Sequence, residues 1–202
     1  MGSEIQCKAR FGKQSSEGKV LLETSELIFR GDFRLKIPFA QMKSVKAVDG
    51  ELQIAFAEGK AAFELGPQAE KWAQKILHPK TRIEKLGIKR GAKIALLRKL
   101  DETFLAELRE ANTSVTAGKI AADAECIFLV AESSKDLAQT TKIAKALEGA
   151  AALWIVYPKG RKDITENDVI GSGRKAGLKD VKVVGFSPTH TALKFVLPLS
   201  SR

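Results

Sequence analysis

Two cysteines, two histidines and one tyrosine in 202 residues leave little of the usual equipment of catalysis. Cys7 and Cys126 stand too far apart to be a disulfide framework, and Cys126 sits in an apolar run where a reduced, buried thiol is at home. Neither His78 nor His190 stands at metal-ligand spacing from a cysteine. His190, between Thr189 and Thr191, reads as a hairpin-turn residue, and no local serine and carboxylate signature accompanies it. Long apolar runs are also lacking. The longest uncharged one, Gly149 to Pro158, is half of the roughly 20 residues a membrane-spanning helix needs. The opening MGSEIQCKARFGK carries Glu4, Lys8 and Arg10 with no apolar core before them, so no secretory signal is expected. These absences point to a soluble, cytoplasmic chain without a transmembrane segment.

What is present is charge and two kinds of periodicity. At about 150 residues per domain the length suits one large domain or two modest ones. The formal net charge is +10, unevenly spread: Met1 to Pro79 holds 12 basic against 10 acidic residues, the remainder 22 against 14. Lys80, Arg82, Lys85, Lys89, Arg90, Lys93, Arg98 and Lys99 face a single Glu84 within one segment. Such a block attracts nucleic acid, anionic lipid or an acidic protein by long-range steering. It also reads as a solvated linker, since no aromatic residue is interleaved to stack on bases.

The first 66 residues alternate in short runs separated by turn signals. Strands are expected over 5–11, 19–23, 26–30, 34–39, 42–48, 51–57 and 60–65, with Asp49-Gly50 as a two-residue hairpin. Gly66-Pro67 then opens a helix whose stripe is Ala69, Trp72, Ala73, Ile76 and Leu77, and His78-Pro79 stops it. The phrases GKVLLETSELIFRGDFRLKIPFAQMKSV and FELGPQAEKWAQKIL resemble the pleckstrin-homology-like (PH-like) superfold, in particular its lipid-binding GRAM-like branch. The resemblance implies an N-terminal PH-like antiparallel β domain with one C-terminal helix over residues 1–79, and peripheral lipid contact as one of its uses. Lys13, Lys19, Arg30, Arg34 and Lys36 are interspersed with acids, which weakens that use, and Trp72 reads as core.

From about Arg82, strands alternate with helices, the mark of a three-layer α/β domain. Strands are expected over 93–97, 114–116, 125–131, 151–157, 181–186 and 192–197, and helices from Asp101, from Ser133 or Ser134 through Leu147, and over 165–177. The link between the last two strands is too short for a parallel crossover, so they form a hairpin. This resembles the tail of the sheet in Rossmann-like methyltransferases. The phrases LGIKRGAKIALL, ALWIVYPKG and AGLKDVKVVGF with ALKF, together with Asp163, Thr165 and Asp168, are similar to an uncharacterised bacterial domain-of-unknown-function family with a degenerate Rossmann-like fold. The resemblance implies a Rossmann-like α/β domain over 80–202, behind a linker of about 78–91, and no established activity.

A dinucleotide site needs glycines after the first strand and a free helix N-terminus. Here Arg98-Lys99-Leu100-Asp101-Glu102 follows that strand, without glycine and with two acids at the positive end of the helix dipole. No nicotinamide cofactor, other cofactor or metal is expected. S-adenosylmethionine needs no phosphate cradle and is excluded less firmly. Gly118-Lys119 is followed by Ile120, and Thr113 stands where a phosphate-binding loop needs glycine. Gly171-Ser172-Gly173-Arg174-Lys175 lies within a helical pattern, where close packing on a sheet explains the glycines. Tyr157-Pro158-Lys159 lacks the wider tyrosine–lysine spacing of short-chain dehydrogenases.

Ligands of open α/β sheets sit beyond the carboxyl ends of the strands. Tyr157, Lys159, Arg161, Lys162, Thr165 and Asp168 follow one such end, and Arg98 and Lys99 another. Together they form a candidate basic rim. The leading functional expectation is therefore a non-catalytic binding or adaptor protein using that rim, with no catalytic residue. The alternatives are a methyltransferase-like enzyme with a non-standard S-adenosylmethionine site, and non-specific nucleic-acid binding through Lys80 to Lys99.

Overall fold

Apolar residues on every second position build the first unit of the chain, Met1–Lys80, and the computed structural model describes residues 3–201. Its strands are β1 (Ser3–Phe11), β2 (Gln14–Leu22), β3 (Glu26–Arg30), β4 (Arg34–Pro38), β5 (Met42–Val48), β6 (Glu51–Phe56) and β7 (Gly59–Glu64). They pair antiparallel in the order β4-β3-β2-β1-β7-β6-β5, a curled sheet. Cys7, Ala9, Val20, Leu27, Phe29, Ile37, Leu52, Ile54 and Phe63 point into one core. Asp49 and Gly50 both adopt positive φ, 49° and 80°, the twist a two-residue hairpin between β5 and β6 requires. Helix α1 (Gln68–Leu77) lays Ala69, Trp72, Ala73 and Ile76 on β5 and β6. Pro67 stands one position earlier than expected, as the N-cap.

The second unit, Thr81–Arg202, begins inside what the sequence suggested was a linker. Helix α2 (Arg82–Leu86) forms there because Thr81 and Glu84 close a capping box, and Gly87 ends it in the left-handed conformation. The charge block obscured this signal. Strand β8 (Lys93–Leu96), α3 (Glu102–Glu110, capped by Asp101), β9 (Ser114–Ala117) and β10 (Cys126–Val130) follow. The chain continues through α4 (Thr140–Ala144), β11 (Ala152–Pro158), α5 (Glu166–Lys175), β12 (Lys179–Gly185) and β13 (His190–Val196).

The helix expected from Ser133 or Ser134 needs correction. A 3₁₀ turn, Asp136–Gln139, comes first, and α4 ends at Ala144. Its three-residue spacing moves the buried position from Thr141 to Thr140, so the inward series is Leu137, Thr140, Ile143, Ala144 and Leu147. No serine caps it. The Asp136 carboxylate instead accepts from the N–H and hydroxyl of Ser133.

The sheet order is β12-β13-β11-β10-β8-β9, with β9, β8, β10 and β11 parallel and β13 antiparallel to both its neighbours. One face packs Ile94, Leu96, Phe128, Trp154 and Val156 against Leu86 of α2 and Phe104 and Leu108 of α3. The other packs Ile127, Leu129, Leu153, Ile155 and Phe195 against Ile143 and Val169. On that side a Cβ at Gly173 would collide with the edge of the Phe195 ring, 2.7 Å or less from three of its carbons, so the glycine is a packing residue. Residues 118–125 alone carry the chain from β9 past β8 to β10, where a parallel crossover ordinarily takes a dozen residues or more. No helix among the described residues is long and apolar enough to cross a membrane.

Candidate active site at the strand ends

Strand β8 has its chain successor β9 on one side and β10 on the other, so the direction of winding reverses between β8 and β10. In open α/β sheets the carboxyl side of such a switch point is where ligands sit. Two loops meet there. Arg98, beyond β8, forms an ion pair with Asp136, beyond β10. The Asp136 carboxylate also accepts the backbone N–H groups of Glu132 and Ser133, each at 3.0 Å, and the Ser133 hydroxyl at 3.1 Å. Burial raises the Asp136 pKa, but Ser133 and Arg98 outweigh it and hold the carboxyl below its ordinary value.

Beside this pair lies a second cluster. The antiparallel register sets Pro158 of β11 opposite His190 of β13, which brings His190 to the same sheet edge. Its Nε2 is 3.2 Å from Glu132 Oε1 and its Nδ1 2.9 Å from Thr189 Oγ1. Arg161 stands 3.7 Å from Glu132 Oε2 and closes a tighter pair with Asp163. An imidazole tied to a carboxylate on one nitrogen and to a hydroxyl on the other can accept or relay a proton.

The eight residues expected to form the rim separate into different roles. Arg98 reaches Asp136, and Arg161 reaches Glu132 and Asp163. Lys99 turns to Glu102 at 3.0 Å, and Lys159 donates to the Ser187 carbonyl at 2.7 Å. Tyr157 is buried with its hydroxyl on Glu166 at 2.9 Å; burial, then Glu166, push its pKa well above the ordinary value. Thr165 and Asp168 satisfy each other in the capping box of α5. Lys162 is exposed. The rim is thus largely paired with acids rather than a free basic surface.

Half of the basic block from Lys80 to Lys99 is paired: Arg82 is clamped, Lys93 pairs with Asp123, Arg98 with Asp136 and Lys99 with Glu102, while Lys80, Lys89 and Arg90 are exposed. Of the lysines and arginines considered for lipid contact, Lys19 is paired with Glu4 and Lys36 with Glu26. Glu132, Ser133, Asp136 and His190 were missed as site residues. The strand-end rule, applied to β10 as it was to β11, points to the first three. Among the described residues no three His, Cys, Asp or Glu side chains gather as a metal site.

The second unit is an α/β domain built on a six-stranded mixed sheet. No family model matches the sequence, and no curated protein does. Among solved structures the chain is similar to an O-methyltransferase from neocarzinostatin biosynthesis, bound to S-adenosyl-L-homocysteine (10% identity, 64% of this chain and 56% of that one, TM-score 0.42). It is also similar to a TehB-like SAM-dependent methyltransferase from Corynebacterium glutamicum (13%, 64% and 96%, 0.37) and an O-methyltransferase family 2 protein from Planctomyces limnophilus (16%, 56% and 44%, 0.38). The chain spans about half the length of the first and the last of these. The non-catalytic adaptor, the leading expectation from the sequence, is corrected here: several of the similar structures are methyltransferases, in line with the alternative reading.

Proposed function

We propose that the α/β unit is a methyltransferase-like enzyme with a non-standard S-adenosylmethionine site at the carboxyl ends of β8 and β10. The observation that carries this reading is the Arg98–Asp136 pair across the switch point. S-adenosylmethionine has a carboxylate and an ammonium at its amino-acid end, and the Arg98–Asp136 pair offers one group of each opposite sign. Binding would exchange present contacts for the ligand's: Arg98 would turn from Asp136 to the carboxylate and Asp136 to the ammonium, with the Ser133 hydroxyl and Glu132 toward ribose hydroxyls. A pyrophosphate fits poorly, because Asp101 already occupies the N-terminus of α3. The bound molecule would supply an activated methyl group. His190, held by Glu132, is the group of this chain suited to take a proton from an acceptor hydroxyl or amine.

The test is thermal melting with saturating S-adenosylhomocysteine. At about 100 times its Kd, a ligand adds roughly 2.7 kcal/mol to the stability of the folded state. A raised midpoint that is lost in R98A/D136N supports the site. An unchanged wild-type midpoint overturns it.

For the first unit we infer a pleckstrin-homology or GRAM-like domain. Seven antiparallel strands followed by one helix that buries Trp72 support this. Two free, buried thiols, Cys7 and Cys126, favour a reducing compartment such as the cytoplasm.

A further inference from the structure

At the opposite end of the same sheet, Lys194 of β13 stands directly across from Trp154 of β11 and Lys182 of β12. Residues opposite one another share a face, and like charges so placed repel. Lys182 turns its ammonium to the Lys85 carbonyl oxygen at 2.6 Å. Lys194 lies over the Trp154 ring, Nζ 5.8 Å from its centroid, and pairs with no carboxylate among the described residues. Trp154 is fully buried, and its indole N–H has no hydrogen-bond partner. The half-buried Lys194 thus has no carboxylate partner, and the orphaned indole N–H of buried Trp154 beside it calls for an explanation.

Lys194 also lines a cavity of about 400 Å³ at the amino ends of β8, β10 and β11. Its volume lies within the range of small-molecule pockets. Lys89, Cys126, Asp123, Glu125 and Glu148 share the lining. Asp123 is engaged by Lys93, and Glu125 Oε1 accepts from the Lys93 N–H at 3.2 Å, so the remaining lining charges are two lysines, Glu148 and the second oxygen of Glu125. A dianion would be repelled by the glutamates and a simple cation by the lysines. A molecule bearing one charge of each sign meets both.

We propose that this cavity binds a small zwitterionic carboxylate, its carboxylate on Lys194 and its ammonium toward Glu125 and Glu148. The site lies at the amino ends of the strands and is independent of the crevice at their carboxyl ends.

The two tryptophans give the readout. Lys194, which lines the cavity, lies over the Trp154 ring, and Trp72 belongs to the other unit, so their indole N–H resonances serve as probe and internal reference. The full-length protein is titrated with 4-aminobutyrate, butyrate and butylammonium. The Trp154 resonance is expected to move with 4-aminobutyrate at concentrations about tenfold below butyrate, the difference one added charge contact makes. Butylammonium is expected to leave it still, and Trp72 not to respond. K194R should retain the response and K194M abolish it. If K194M fails to fold, the wild-type and K194R titrations decide. A Trp154 signal unmoved by all three compounds, or a response to 4-aminobutyrate that survives in folded K194M, overturns the proposal.

Discussion

The Arg82 guanidinium lies 4.8 Å from the centroid of the Phe186 ring, across 104 residues of sequence, with the Phe104 ring 4.9 Å away. Its Nε donates to Glu107 at 2.9 Å, and its terminal nitrogens reach Glu107, Asp101, Thr103 and the Phe186 carbonyl. Only 12% of the side chain is exposed. Burial opposes the charge, but Glu107 and Asp101 outweigh it and raise the pKa above the ordinary arginine value. One residue thus fastens the start of α2 to α3 and to the strand end at Phe186. R82K keeps the charge and loses the planar fork and its stacking. It is expected to cost about 2–3 kcal/mol, measured by urea unfolding. A loss below 0.5 kcal/mol, the ordinary scatter of a surface change, would show that the cluster is ornamental.

Asp101 gives this cluster a pH signature. Burial raises its pKa, but the Thr103 hydroxyl, the Phe104 N–H and Arg82 together bring it below the ordinary 3.8. A carboxyl lowered on folding contributes stability above its unfolded pKa and loses it as pH falls through the folded value. D101N is therefore expected to destabilise at pH 7 by about 1 kcal/mol, the worth of a lost cap, since its exposed side is screened. At pH 2 the difference should shrink toward zero. An equal loss at both pH values would assign the effect to packing.

How much of this was legible depends on distance along the chain. The hairpin at Asp49-Gly50, the caps at Asp101 and Thr165 and the buried strands β10 and β11 all follow from a few adjacent residues. Helix α2 was equally local, since Thr81 and Glu84 stand at capping-box spacing, but its charge drew the eye to a linker. The shifted phase before α4 was not legible, because a 3₁₀ turn and an α turn share the same apolar residues. The strand-end cluster lay furthest out of reach. His190 and Glu132 are 58 residues apart and meet only because β13 runs antiparallel beside β11.

Two glycines two residues apart in α5 should answer oppositely to the same substitution. A Cβ at Gly173 collides with the buried Phe195 ring, whereas nothing lies within 4 Å of one at Gly171. G173A is expected to cost about 1–3 kcal/mol by overpacking, and G171A to gain about 0.5–1 kcal/mol through helix propensity. Melting curves of the two variants suffice. A destabilising G171A would mean that its bare backbone serves something other than the helix.

The thiols make a final contrast between burial and reactivity. Burial, and then Glu64, push the Cys7 pKa up to about 11; burial also takes Cys126 to about 11, with Lys194 pulling down and Glu125 pushing up. At pH 8 a thiol with that pKa is thiolate in about one molecule per thousand, and the thiolate is the reactive form. A chromogenic disulfide reagent should therefore leave both cysteines untouched in the native protein at pH 8 and titrate both in guanidinium. A thiol raised on folding adds stability that is complete below its unfolded pKa and lost as pH rises through the folded value, so the protein should weaken between pH 9 and 11. Removing the Lys194 charge in K194M takes away an influence that lowers the Cys126 pKa, so its reaction at pH 10 should slow further. Faster reaction in that variant would instead mean that the cavity had opened to water.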